Sequence, residues 1–437
     1  MRLFLLTIYL FYYNCAPAQQ LGDAIKTKGN VYFPCSFDAD VKFVVQSDGK
    51  IVLAGNYGKG DNADIFITRY LPDGNLDVSF AKNGIAIIDI LGFQDLLVSL
   101  NILKDDKIII GAVADDEYSY RTLRNRMTIM KFNSDGNYDL SFGDKGRILE
   151  YHDPKFKGLM STEIQPDGKI VGIRCYDSNN QFDFGVVRFN ADGSVDDQFG
   201  SNGKIYGSIR KFDDPAMDIA VQPDGKILIM GQSQTGPPPS HMKTRSNPID
   251  VYVARFNADG SPDNNFGENG KLITMIRKGF NLPRKIVVAN SGNILVTGSV
   301  TTSKSKAYAP VFCFMENGWY DTTFAGKGFL PLSYGSMNVS TDIKLLNNND
   351  FYVAGTTIKK GSQYAFISRF KQDGIADTSF NKKGMVLMDV ISFNPKIWVL
   401  PDKKIIMGSI VKNGKGYFYC LTKFNENGKQ DLKFGDQ

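Results

Sequence analysis

Histidine, tryptophan and cysteine are scarce in this chain: two, two and five among 437 residues. So few histidines leave little from which to build an imidazole metal centre or a serine–histidine catalytic pair. An excess of one charge is also missing. The 51 Lys and Arg against 46 Asp and Glu give +5, or +4 once Arg2 leaves with a leader peptide. That balance, without Lys/Arg runs or aromatic-basic motifs, gives no support for a nucleic-acid partner. No apolar run approaches the roughly twenty residues needed to span a bilayer, and no long stretch keeps a helical period. No glycine-rich segment follows a strand and opens a helix, and no nucleophile elbow occurs, so nucleotide binding and α/β-hydrolase chemistry lack a motif. No metal-ligand cluster is legible, and no cofactor is expected.

The first residues, "MRLFLLTIYLFYYNCAPAQQ", have a basic start at Arg2 and an apolar stretch from Leu3 to Tyr13. Ala16-Pro17-Ala18 has the small-x-small form of a leader cleavage site. Residues 1–18 therefore read as a signal peptide and 19–437 as one domain, secreted or periplasmic. Lipid attachment at Cys15 is the weaker alternative, because Asn14 stands where a small residue is normally needed.

What the sequence does contain is a repeat, and a repeat outranks other signals of architecture. Asp-x-x-Phe recurs at Asp77/Phe80, Asp139/Phe142, Asp196/Phe199, Asp263/Phe266, Asp321/Phe324, Asp377/Phe380 and Asp431/Phe434. From Phe80 to Phe434 it advances 354 residues in six steps, 59 per step. Ahead of each copy lies a tight turn followed by an apolar run, as in "SDGKIVLAG" from Ser47 or "PDGKILIMG" from Pro223. The second and seventh turns lack the glycine, which predicts a different turn type there. Asp-Gly between apolar runs marks hairpins, and runs apolar at successive positions mark strands buried on both faces. Each repeat then supplies four strands, in the fourth copy roughly 218–222, 226–230, 251–256 and 271–276.

A lone four-stranded sheet cannot cover both faces, whereas radial stacking does. The expectation is an all-β, seven-bladed β-propeller with four strands per blade. The seventh repeat stops at "DLKFGDQ", where the others continue into a strand, and "KTKGNVYF" near the start supplies a matching one. An N-terminal strand would thus close the ring in the last blade and leave no free sheet edge.

A basic residue precedes the landmark Asp by eight positions in six copies: Arg69, Lys131, Arg188, Arg255, Arg369 and Lys423, with Cys313 in the fifth. This spacing predicts a structural ion pair at each repeat, with Phe80, Phe142, Phe199, Phe266, Phe324, Phe380 and Phe434 wedged into core. Asn190, Asp192 and Asp196 have some look of a calcium loop, but offer few of the six to eight oxygens required and equally fit an Asx turn. The pattern "VQPDGKILIMG…DVYVARFNADGSPDNNFGENGKL" resembles the bacterial delta-sixty repeat, a family of predicted β-propellers of unknown function. The resemblance implies the fold and an exported protein, and carries no catalytic residue.

For function the sequence offers loops. Those between second and third strands vary most in length, and inter-blade loops bring "SIRKFDDP" and "MIRKGFNLP" to the same face. A contact with an extracellular or periplasmic protein, peptide or glycan is expected there, through Arg210, Phe212, Arg277 and Phe280. His152 and His241 read as solvated loop residues. Cys35 and Cys420 fall near one another in the closing strand pair and form a candidate disulfide. The main expectation is a monomeric, non-enzymatic binding or structural scaffold. The alternative is a propeller lyase or hydrolase acting on extracellular polymer through carboxylates. Three or more carboxylates converging at one channel mouth would favour the alternative.

Overall fold

The structure, a computed structural model, describes residues 25–35, 41–57, 63–115, 126–150, 156–177, 181–236, 249–274, 280–303, 306–414 and 416–436. The leader, Cys15, His152, His241 and Arg277 lie outside them. Among the described residues the chain is strands and turns, with one 3-10 turn at Phe324–Gly326. It divides into two compact units, residues 1–159, 400–425 and 430–437 in one and 160–399 with 426–429 in the other.

In the first unit, repeat one forms the antiparallel sheet Lys42–Val45, Ile51–Tyr57, Asp64–Tyr70 and Ile85–Ile88. Repeat two forms Asp95–Ile102, Ile108–Ala114, Arg126–Phe132 and Arg147–Leu149. The second and third strands of repeat seven, Ile405–Asn413 and Gly416–Phe424, continue into the N-terminal strand Asn30–Cys35. The second unit holds repeat three (Phe156–Ile164, which crosses into this unit at Met160, then Ile170–Asp177, Phe182–Phe189 and Lys204–Gly207) and repeat four (Ala216–Val221, Ile227–Gln234, Ile249–Phe256 and Lys271–Thr274). Repeat five follows with Phe280–Val288, Ile294–Ser303, Lys306–Phe314 and Phe329–Leu332. Repeat six has Asn338–Leu345, Phe351–Lys359, Ser362–Phe370 and the start of the long Met385–Val399, whose end is the first strand of repeat seven. Each repeat is thus an antiparallel meander, as its turn chemistry predicts.

The core is layered between sheets. Ile173 and Val186 of repeat three meet Ile219, Ile229 and Tyr252 of repeat four, and equivalent layers join repeats four to five and five to six. This explains why the second strands are apolar at successive positions: Ile227–Ser233 is buried throughout, because each face meets a neighbouring sheet.

The repeated polar motif ties neighbouring repeats together. The guanidinium of Arg188 donates to Asp196 at 2.7 Å and to the carbonyl of Ala258, and stacks 4.2 Å above the ring of Phe199. Arg69 and Arg255 do the same with Asp77/Phe80 and Asp263/Phe266. Arg369 pairs with Asp377 at 3.2 Å but lies over Tyr352 instead. The landmark phenylalanines are at most 2 % exposed. The rings of Phe80, Phe199, Phe266, Phe324 and Phe380 sit on the turn of the next repeat, and this is why that turn needs glycine: Gly136 has φ 89°, and a Cβ there would lie 2.6 Å from Phe80. The residue after the phenylalanine donates its N–H to the same turn, as in Gly200 to Asp259 and Gly267 to Asn317, both at 2.8 Å.

Two expectations need correction. The glycine-free turns keep the common type. Asp106 and Lys403 adopt φ 64° and 63° and make the hydrogen bond that Gly49 makes in repeat one. The register also separates the proposed disulfide. Cys420 stands opposite Tyr32, whereas Cys35 stands opposite Tyr417. Three residues of strand are about 10 Å, beyond the roughly 7 Å that a disulfide tolerates between Cα atoms. Cys420 is a free, buried thiol.

Candidate functional site

Of the four expected loop residues, two have described side chains. Arg210 is held by Asp250 at 2.7 Å, and Phe212 is half-buried. Phe280 opens the first strand of repeat five, while Arg277 is outside the described residues. The calcium-like turns are Asx turns. Asp192 accepts from the N–H and hydroxyl of Ser194, and Asp196 is engaged by Arg188 and Lys169.

Charge gathers elsewhere, on the first strands of the second unit. Counting four residues back from the residue where each hairpin turn begins gives Asp218, Lys285, Asp342 and Lys396 in repeats four to seven. The signs alternate, so neighbouring first strands attract. Lys285 lies 3.0 Å from Asp218, whose carboxylate also accepts the N–H of Ile286 at 2.9 Å. One step on, Asp342 accepts the N–H of Ile397 at 2.9 Å, and Lys396 donates to the carbonyl of Thr341 at 2.7 Å. Asp218 and Asp342 are therefore fixed in place by backbone donors.

Glu163 of repeat three joins this row from two positions before its turn. Burial raises its pKa, which Lys285 opposes and Asp218 reinforces. Burial alone would lower the pKa of Lys285. The charges of Asp218, Glu163 and Asp342 outweigh it and hold the ammonium protonated. Arg284 reaches solvent beside Lys285, yet desolvation by surrounding protein lowers its pKa. Lys344 lies 5.4 Å from the ring of half-buried Trp398. One lysine thus pairs with Asp218 and feels the charges of Glu163 and Asp342 from two further repeats, with further cations and an aromatic face on the same strands. Chemically this is a proton donor of raised pKa among fixed opposite charges, a combination suited to acid–base work on an anionic substrate.

Sequence reasoning missed these residues because they are scattered charges in separate repeats with no motif to link them. Aligning the seven first strands on their turns would have exposed the Asp-Lys-Asp-Lys alternation.

Comparison with known proteins supplies the context. The family model described as a β-propeller domain of unknown function, DUF5122, matches residues 46–80, 165–199 and 222–266. No curated protein matches the sequence. Similar solved structures include an ulvan lyase of polysaccharide lyase family PL25 bound to -[GlcA(1-4)Rha3S]-. It is 11 % identical with a TM-score of 0.57, over 95 % of this chain and 100 % of that one. Another is polysaccharide lyase Uly1, 12 % identical with a TM-score of 0.51, over 95 % and 91 %. At such identity they speak for the β-propeller fold. No helix among the described residues is long and apolar enough to cross a membrane. The expectation of a non-enzymatic scaffold is set aside. The finding that overturns it is the likeness in fold to polysaccharide lyases.

Proposed function

We propose that this protein cleaves an anionic extracellular polysaccharide. The observation that carries the reading is Lys285 paired with Asp218 at 3.0 Å, with the charges of Glu163 and Asp342 acting on the same ammonium. Glu163, with its raised pKa, gives its proton to the departing glycosidic oxygen; in a lyase the uronate C5 proton passes to water as the C4–C5 double bond forms, and in a hydrolase water adds at the anomeric carbon and its proton returns to the Glu163 carboxylate. Arg284 and Lys344 hold the acidic groups of the sugar, and Trp398 offers a face on which a ring can stack. Asp218 and Asp342 keep Lys285 charged and in place. The two lyases support the substrate class, since one of them is bound to a glucuronate–rhamnose-3-sulfate unit.

The seven-bladed ring belongs to the same reading. It is supported by seven copies of the landmark and by the N-terminal strand zipped to the last repeat. So do export through residues 1–18, a single domain over 19–437 and a monomeric state. Edman sequencing of the exported protein should begin at Gln19.

The test incubates the full chain with ulvan and with other uronate polymers. New ultraviolet absorbance from an unsaturated uronate identifies a lyase, and reducing ends without that absorbance identify a hydrolase. Glu163→Gln should abolish either signal while leaving the circular dichroism spectrum unchanged. Absence of cleavage on every polymer, or full activity in Glu163→Gln, overturns the proposal.

A further inference from the structure

A second group of carboxylates lies in the first unit, where repeat one hands over to repeat two. Asp64 opens the third strand of repeat one and Asp89 follows its fourth. The register pairs Ile65 with Ile88, so Asp64 and Asp89 come side by side across the strand pair. Asp95 opens the first strand of repeat two, and its N–H donates to the carbonyl of Ala63 at 2.6 Å. One oxygen from each of the three carboxylates lies within 4.8 Å of the others.

The loop between Asp89 and Asp95 is folded tightly around this point. The N–H of Gly92 donates to Asp89 at 2.6 Å, and that of Ile90 to Oδ2 of Asp95 at 2.8 Å. Asp95 is fully buried, and its Oδ1 has no hydrogen-bond partner. A buried carboxylate oxygen left unpaired costs stability unless something else meets it.

Comparison across repeats shows that the scaffold does not require this arrangement. Eight residues before the turn, repeat six has Asn338 where repeat two has Asp95. There Oδ1 accepts the N–H groups of Tyr334 and Gly335, and Nδ2 donates to the carbonyl of Ala307 at 2.8 Å. An amide thus does the structural job with both side-chain atoms paired. Repeat four has Asp214 at this position, with an Oδ1 likewise unpaired, but there the positive charge of Arg210 acts on it. The charges that act on Asp95 are those of Asp89, Asp64 and Asp115, all negative. Like charges so close repel unless a cation lies among them.

We propose that Asp64, Asp89 and Asp95 bind a divalent cation, calcium by preference. The donors are all oxygen, which suits a hard cation. Calcium bonds of about 2.3–2.6 Å allow two ligand oxygens to stand about 5 Å apart across the ion, whereas magnesium's of about 2.0–2.1 Å allow only about 4 Å. A span of up to 4.8 Å therefore accepts calcium without rearrangement. Bound there, the ion pins the end of repeat one to the start of repeat two.

The test is calcium titration of chelator-treated full-length protein by isothermal calorimetry, with thermal unfolding alongside. Saturable binding of one ion, a raised melting temperature and weaker binding of magnesium are expected. Asp95→Asn, which places the amide of Asn338 at the equivalent position, should keep the fold and lose the calcium-dependent rise. Asp89→Asn, at an exposed position, provides the same reading if the buried variant fails to fold. No binding heat and no shift with calcium, an equal response to magnesium, or undiminished binding in Asp89→Asn overturns the proposal.

Discussion

The backbone N–H of Gly435 donates to the carbonyl of Asp73 at 2.9 Å, so the end of the last repeat rests on the first turn of the first. It is the same bond that Gly200 makes to Asp259 between adjacent repeats. Beside it, Val31 of the N-terminal strand packs fully buried against Gly74. The chain ends therefore use the contact that joins neighbours elsewhere.

That contact should be costly to weaken. Phe33 is buried and its ring lies 4.6 Å from that of Tyr70. Phe33→Ala should destabilise by about 3–5 kcal/mol through the cavity it leaves. Urea unfolding of the variant measures this, and a midpoint equal to the parent's would contradict it.

The repeated ion pair separates buried from peripheral charge. Asp263→Ala strands Arg255, whose side chain is 4 % exposed, and should cost about 3–5 kcal/mol. Lys226, 3.4 Å from the same carboxylate but 30 % exposed, should cost less than about 1 kcal/mol when replaced by Ala. Equal effects in denaturant titrations would refute this ranking.

The same carboxylates set the acid limit. The Ser141 hydroxyl, with Lys107 and the Ser141 N–H, overcomes burial and lowers Asp139 to about 2. Asp77, Asp196, Asp263, Asp377 and Asp431 are lowered as well. A folded pKa below the unfolded one adds stability that is complete above the unfolded value of about 4 and lost as pH falls through the folded one. Unfolding free energy should therefore drop between about pH 4 and pH 2, with a steepness that reports several protons. Asp139→Asn should make that drop shallower. A flat profile over this range would count against the assignment.

Thiol chemistry offers a check on the register. Burial raises Cys420 to about 12, with Cys313 likewise at about 12 and Cys175 at about 11. Because the thiolate is the reactive form, none of the three should take up iodoacetamide at neutral pH in the native state. All three should label in denaturant without reductant, and protection of Cys420 under those conditions would revive a disulfide.

The sequence by itself determined the unit of construction. The spacing of Asp-x-x-Phe, the Asp-Gly turns and the runs buried on both faces are local properties, set by turn chemistry and by period. They placed the strands of repeat four to within a few residues and paired Arg255 with Asp263 correctly. Only the tertiary structure decided register and proximity. Cys35 and Cys420 are near in an aligned pattern yet three residues apart in the ladder, because one slip in pairing moves every side chain. Glu163, Asp218, Lys285 and Asp342 are scattered charges in separate repeats. Their mutual influence, and so the candidate chemistry, follows from which strands pack side by side, and no local preference encodes that.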